Sequence, residues 1–326
     1  MLKQLNRPEL ERLLATVAQD YALQVPQLLR DGTRQLARYG TAELSLSGEQ
    51  LQAKPTACFF PQTELLLTIT DDGQVQLPAN IAKVQALFGL NRVDLAALAF
   101  LDRFFSAPPA DDVYLRRRNG ALLLGLTGFA GADGAFLPLT DGNCDLELIA
   151  DNGCWLALGH SAHGRQLLAP FAAGEQERLA ELQHLSAEQS IDLSPLRQAA
   201  QLLAEDRVPD AFWQEVADRC ILCCGCNFSC PTCSCFGVQD RCREQGTERS
   251  RVWDLCQLDA FMREASGHNP LGSEALRTRR RIFHKLVADV ERWGELGCVA
   301  CGRCDRACPS GIGMFAVVEE IVKRFA

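Results

Sequence analysis

The sequence predicts an α+β chain: an N-terminal α/β domain followed by an α-helical domain built around two cysteine runs. Three observations carry that expectation. Residues 83–126 read strand, helix, strand, the unit from which α/β sheets are made. Thirteen of the 16 cysteines lie in residues 218–326, leaving only Cys58, Cys144 and Cys154 upstream. Helical periods of apolar residues precede, separate and follow the cysteine runs. The expected divisions are 1–172 for the α/β domain, 173–209 for a helical linker and 210–326 for the cysteine-rich domain.

Taken in order, RPELERLLATVAQD (7–20) places Leu10, Leu13, Leu14 and Val17 at helical spacing, with Pro8 in the first turn and Glu9 and Glu11 near the positive end. The alternation in TAELSLSG (41–48) predicts a short strand, and the apolar run LLLTI (65–69) a strand in the core. Cys58, just before that run, reads as an inert buried thiol. KVQALFGL (83–90) is a strand, VDLAALAFLDRFF (93–105) a helix and ALLLGL (121–126) the next strand. Glycines 125, 128, 131 and 134 follow as G-x-x-G-x-x-G, which is not the dinucleotide fingerprint, and no helix comes directly after them. DLELIADNGCWLAL (145–158) is a hairpin turning at Asp151-Asn152-Gly153, with Cys154 and Trp155 on opposite faces. HGRQLLAPF (163–171) reads as a short helix; His160 and His163 read as surface residues rather than metal ligands. Two helices divided by LSAEQSIDLSP (185–195) complete the linker.

The first cysteine run is Cys220, Cys223, Cys226 and Cys230 before Pro231; the second is Cys298, Cys301, Cys304 and Cys308 before Pro309. Both read C-x2-C-x2-C-x3-C-P, the run with which ferredoxin-type proteins hold [4Fe-4S] clusters. Three thiolates two residues apart converge from one tight loop onto one cube, while the fourth is carried past the proline turn. In two-cluster ferredoxins that fourth cysteine serves the other cluster. The motif thereby implies Cys220, Cys223, Cys226 and Cys308 for one cluster, and Cys298, Cys301, Cys304 and Cys230 for the other. Zinc sites take C-x2-C pairs, two plus two, with no need for a third evenly spaced cysteine or a following proline. Disulfide frameworks belong to small secreted domains, and the charged opening MLKQLNRPELERLL is unlike a signal peptide.

The 67 residues between Cys230 and Cys298 far exceed the spacing of a compact two-cluster ferredoxin. Helical periods in AFWQEVADRC (211–220), RVWDLCQLDAFMREAS (251–266), EALRTRRRIFHKLVADVERW (274–293) and MFAVVEEIVKRF (314–325) predict helices, not a β-hairpin scaffold, around the clusters. That makes the expected C-terminal fold an α-helical ferredoxin-type domain. Of the remaining thiols, Cys233, Cys235 and Cys256 form the best set for a further metal; together with Cys224 and Cys242 they read more simply as buried or potential-tuning neighbours of the cubes.

Charge is as uneven as cysteine. Residues 218–326 carry 16 Lys and Arg against 14 Asp and Glu, a balance of +2; the first 217 residues carry 17 against 27, a balance of −10. The slight basic excess partly offsets cluster charge, and the basic stretch Arg277, Arg279, Arg280, Arg281, His284 and Lys285 reads equally as a solvated helix face or as a surface that docks a partner or compensates cluster charge. An acidic N-terminal part excludes the basic footprint that nucleic acid needs. No apolar run reaches the about 18 residues of a membrane span.

The chain resembles the family of the anaerobic sulfite reductase A subunit and the sulfhydrogenase β subunit. CNFSCPTCSCF (226–236), RVWDLC (251–256), GHNP (267–270), the arginine-rich stretch ending in His284-Lys285, and CVACGRCDRACP (298–309) carry the resemblance in the last third. FFPQTELL (59–66), FGLNRVDL (88–95), DRFF (102–105) and the stretch from DLELI to HGRQLL extend it upstream. Family members resemble one another in N-terminal cysteines consistent with a third cluster; here Gly89 to Asp94 and Gly134 to Leu137 occupy those stretches without cysteine. The comparison implies that this chain has lost that cluster.

A [4Fe-4S] cube with four cysteine ligands has no open iron, so its work is one-electron transfer. No P-loop, dinucleotide fingerprint or haem C-x-x-C-H site is present in the sequence. The expected role is an electron-transfer subunit of a cytoplasmic multi-subunit oxidoreductase. The resemblance implies a flavin- and NAD(P)-binding partner subunit and a catalytic metalloenzyme subunit, of sirohaem sulfite reductase or nickel-iron hydrogenase type. The alternatives are a redox-sensing or assembly module without turnover, and a self-contained reductase using its N-terminal domain.

Overall fold

In the computed structural model, residues 1–41, 43–78, 83–189, 191–244 and 246–326 are described. Helices and sheets are mixed in the manner of an α+β chain. Residues cluster into two compact units, Met1–Phe60 with Ala79–Ser190, and Pro61–Pro78 with Ile191–Ala326.

The first unit is built on an eight-stranded sheet. Strand β1 (Leu2–Leu5) leads into α1 (Arg7–Asp20), then β2 (Ala22–Leu28) and β3 (Arg34–Arg38). Asn6 caps α1 in a capping box: its side chain accepts from the Glu9 amide at 3.0 Å, and the Glu9 carboxylate accepts from the Asn6 amide at 3.0 Å. Leu10, Leu13, Leu14 and Val17 all face the core. No strand forms over 43–48, and Ala42 lies outside the described residues. The alternation of that stretch finds no ladder to join.

The apolar run at 65–69 is a strand, β4 (Thr63–Ile69), but it belongs to the second unit, as does β5 (Val75–Gln76). It is not core: within it only Glu64 is buried, and Leu65 is 37% exposed. Back in the first unit come β6 (Gln85–Leu90), α2 (Arg92–Ser106), α3 (Asp112–Arg118) and β7 (Leu122–Gly128). The hairpin β8 (Leu146–Asp151) and β9 (Cys154–Gly159) turns through Asn152 and Gly153, both at positive φ, the backbone a tight hairpin demands. Helix α4 (Ala162–Leu168), β10 (Ala172–Ala173) and α5 (Gln176–Glu188) complete this unit.

Strand order is β10-β1-β9-β8-β7-β6-β2-β3, parallel from β8 through β7 and β6 to β2 and antiparallel elsewhere. Every residue of β7 is buried, which is how a central parallel strand covered on both faces reads in sequence.

The second unit combines helices with a four-stranded antiparallel sheet. Helices α6 (Ser194–Ala204), α7 (Asp210–Asp218) and α8 (Gly225–Ser229) precede β11 (Phe236–Arg243) and β12 (Gly246–Trp253). Sheet order is β11-β12-β4-β5. Residues 251–266 are therefore not a helix: β12 runs through Trp253, and turns and irregular chain follow to Ser266. A β-hairpin does stand in the long insertion between the cysteine runs. The helical period there was overridden because β12 finds ladder partners on both sides, and because Arg251 and Glu64 form a buried ion pair between β12 and β4, side chains 2% and 1% exposed. Gly246, at φ +128°, sits where a Cβ would collide with the Ile69 carbonyl, so only glycine admits the close approach.

The next helix is continuous in three parts: α9 (Glu274–Phe283), a π turn (His284–Ala288) and α10 (Asp289–Trp293). Helix α11 (Arg303–Arg306) and α12 (Met314–Phe325) end the chain described. The core of this unit joins Leu196, Ala199 and Leu202 of α6, Phe212, Trp213 and Val216 of α7, Ile282 and Leu286, and Met314, Val317 and Ile321 of α12. Each buried aliphatic side chain contributes roughly 1.5–3 kcal/mol. That core is the platform for the cysteine loops.

Candidate metal centre

Two loops of like geometry carry the cysteine runs. Helix α7 buries Phe212, Trp213, Val216 and Ala217 and delivers Cys220, whose amide donates to the Ala217 carbonyl at 2.8 Å. In the loop that follows, Leu222 and Cys224 have positive φ (54° and 58°); in the second loop Ala300 and Gly302 do (55° and 68°). Both pairs stand two and four residues after the first cysteine of their run. Left-handed residues interleaved with others turn successive amides toward one side, the geometry of backbone anion nests. A left-handed conformation costs a non-glycine residue about 1–2 kcal/mol, so three such residues in these loops mark a backbone held to a purpose. Helices α8 and α11 then carry Cys226 and Cys304, and the prolines at 231 and 309 end the runs.

The loops wall two cavities within this unit. One, about 400 Å³ counting space open to solvent, is lined by Cys220, Cys223, Cys224, Cys226 and Cys308, with Ile221, Gln257, Thr278, Arg281, Ser310 and Ile312. The other, about 460 Å³ on the same measure, is lined by Cys226, Cys230, Cys233, Cys298, Cys301 and Cys304, with Asn227, Thr232, Arg281, Lys285, Asp305, Met314 and Phe315 among its other neighbours. Cys308 thus lies with the first run and Cys230 with the second.

Amides and buried cations face the sulfurs. The Ile312 amide donates to Cys308 Sγ and the Met314 amide to Cys304 Sγ, each at 3.4 Å. Thr232 Oγ1 lies 3.3 Å from Cys230 Sγ, accepts from Lys285 Nζ at 2.7 Å and donates to the Gly297 carbonyl at 2.6 Å. Burial pushes the Cys226 thiol up to about 11 and the Cys298 thiol up to about 12. Burial disfavours the Lys285 ammonium, but the thiolates of Cys230, Cys233 and Cys298 more than compensate and hold its pKa well above the usual lysine value. The same competition, burial against the thiolates of Cys226, Cys304, Cys256 and Cys308, raises Arg281.

The extra thiols are neighbours of these cavities. Asn227 is 2% exposed and its amide donates to Cys256 Sγ at 3.3 Å and Cys233 Sγ at 3.8 Å. Asn227 is a residue that sequence reasoning missed; its only signal is its place directly after Cys226. Burial pushes Cys235 up to about 11, and Cys242 is exposed on β11. Among the described residues, no three His, Cys, Asp or Glu converge as a site for a single ion. A mononuclear site needs its sulfurs about 2.3 Å from one point; here thiols are spread around cavity walls, as a polynuclear cluster requires. None of the sixteen cysteines is in a disulfide.

Upstream, Cys58 sits in a short 3-10 turn (Pro55–Cys58) and burial pushes its thiol up to about 11. Cys144 is buried before β8, its thiol pushed up to about 12 chiefly by burial. Cys154 opens β9 at the other end of the same hairpin, roughly 20 Å away by strand rise. His160 Nε2 pairs with the buried Glu147 at 3.4 Å, and His163 packs edge-on against Tyr21.

A donor set of thiols, inward amides and buried cations fits anionic iron-sulfur cubes. Comparison with known families agrees: residues 219–312 match the 4Fe-4S dicluster domain. That match assigns two [4Fe-4S] clusters as the cofactors of the segment. Over most of its length the chain is also similar to the sulfhydrogenase 2 subunit beta of Pyrococcus furiosus, 27% identical over 301 residues that cover 86% of each chain. The resemblance to the sulfhydrogenase β subunit family is thereby supported beyond the cysteine-rich segment. No solved structure matches. Among the described residues, no helix is long and apolar enough to cross a membrane.

Proposed function

We propose that this chain is the iron-sulfur electron-transfer subunit of a cytoplasmic multi-subunit oxidoreductase of the sulfhydrogenase type. It passes single electrons between an NAD(P)H-linked flavoprotein and a catalytic subunit of nickel-iron hydrogenase or sulfite reductase type. The first unit, Met1–Phe60 with Ala79–Ser190, docks partners, and the second, Pro61–Pro78 with Ile191–Ala326, carries the clusters on helices and a four-stranded sheet in place of an all-helical domain with a separate linker. The observation that carries the reading is the pair of cysteine-walled cavities meeting at Cys226.

Cys220, Cys223, Cys226 and Cys308 hold one cluster; Cys298, Cys301, Cys304 and Cys230 hold the other. Bound there, [4Fe-4S] cubes supply reversible one-electron storage. Four thiols per centre leave no position for a substrate. The amides of Ile312 and Met314 stabilise sulfur charge, and the buried Arg281 and Lys285 offset it. Similarity to a sulfhydrogenase β subunit across the first unit as well as the second supports a shared assembly role.

The test is anaerobic purification from the native host. Co-purification with a flavoprotein and a metalloenzyme subunit, about eight irons per chain and reversible reduction without loss of iron are expected. A chain that is isolated alone and sheds its clusters functionally on air exposure would instead be a sensor, and the electron-transfer reading would fall.

A further inference from the structure

Arg281 stands where the two cavities meet. It is 6% exposed, and it lines both the cavity of Cys220, Cys223 and Cys308 and the cavity of Cys298, Cys301 and Cys304. Its Nη2 donates to the Ile312 carbonyl at 2.7 Å, and the amide of that same residue donates to Cys308 Sγ. Its Nε has no hydrogen-bond partner among the described residues. A guanidinium buried with one neutral acceptor is costly, and the thiolate centres on either side are the charge that would offset it. Lys285, one turn further along, lines only the second cavity, where its ammonium is engaged by Thr232 and the Gly297 carbonyl. Asp305 also lines that cavity, with Oδ1 taken by the Phe315 and Ala316 amides.

From this arrangement we infer that Arg281 is a shared positioning charge that sets the one-electron reduction equilibria of both centres together, whereas Lys285 acts on the second centre alone. The inference rests on the two-cluster reading above. Uptake of one electron takes a four-thiolate cube from a charge of about −2 to about −3. A fixed cation favours the more negative state, so it raises the potential of each centre that it faces. Arginine suits the place because it stays protonated at every working pH and its planar head can face two directions at once.

The experiment is a redox titration followed by EPR on the full anaerobic chain, in the native protein and in Arg281→Met, Arg281→Lys and Lys285→Met, each with its iron and sulfide content. Arg281→Met should weaken reduction of both centres about tenfold, a fall of about 59 mV each for one electron. Lys285→Met should lower only one, and Arg281→Lys should restore both to within about threefold, or roughly 30 mV. Full iron content with only one potential moved, or none, in Arg281→Met overturns the inference. If Arg281→Met does not keep both centres, Arg281→Lys decides: both potentials near native support a charge-borne role, and a tenfold displacement of either sinks it. A native chain that binds about four irons or none breaks the two-cluster reading itself, before any variant is compared.

Discussion

The two cysteine loops have one spacing and one backbone pattern, yet their surroundings differ. In the first, Ile221 is 65% and Leu222 36% exposed, and Cys223 is exposed; in the second, Ala300 is 9% exposed and Cys301 only half-exposed. The second cavity has Lys285, Thr232 and Asp305 on its wall beside the shared Arg281; among the described residues the first has Arg281 alone as a lining cation. Spacing fixes which sulfurs converge on a cube. Flanking residues fix how wet the cube is and what charge it meets, and so how the two centres differ.

The sharpest way to break the comparison is to cross the ligand sets. Cys308→Ser should remove the centre walled by Cys220, Cys223 and Cys226, with about half of the iron lost, while Cys230→Ser removes the other. Iron analysis and EPR of the two variants check this, and loss of the centre of its own run in Cys308→Ser would refute cross-ligation. Next in size is accessibility: with a hydrophilic chelator the iron should leave in two phases, the first about tenfold faster than the second. The fast phase should vanish in Cys220→Ser; a fast phase that persists would place the labile centre in the second cavity.

Thr232→Val tests the polar link peculiar to the second cavity. Removing the hydroxyl leaves the Lys285 ammonium short of an acceptor, which costs about 1–3 kcal/mol. Thermal unfolding of the holo chain should reflect that loss, and the EPR signal of the second centre alone should change. The smallest effect concerns what the loops share. Leu222→Gly and Ala300→Gly relieve left-handed strain at both places, and each should stabilise the chain by about 0.5–1 kcal/mol; unequal gains would mean that burial of Ala300 matters more than its backbone.

The first unit was legible where period and turn chemistry agree. Helix α1 lies where Leu10, Leu13, Leu14 and Val17 placed it, and the β8–β9 hairpin turns at Asn152-Gly153 because only a backbone tolerant of positive φ closes it. Strand β4 was read as a strand but misplaced in the core, since LLLTI looks the same whether two faces or one are covered. Residues 251–266 were misread as a helix because Val252, Leu255 and Cys256 mimic its spacing. A strand won through long-range ladders to β11 and β4 that no local window contains.

By itself the sequence determined the chemistry: eight cysteines at ferredoxin-type spacing, each run closed by proline, demand polynuclear clusters because three evenly spaced thiolates converge on a cube and not on a single ion. Local spacing is enough for that, since the ligands of each loop are near neighbours in the chain. Only the tertiary structure showed that β4 pairs with the insertion between the runs, and that Arg281 lines both cavities while Lys285 lines one. These depend on contacts between residues tens to nearly two hundred positions apart, and there burial and charge are set by the packing of whole elements.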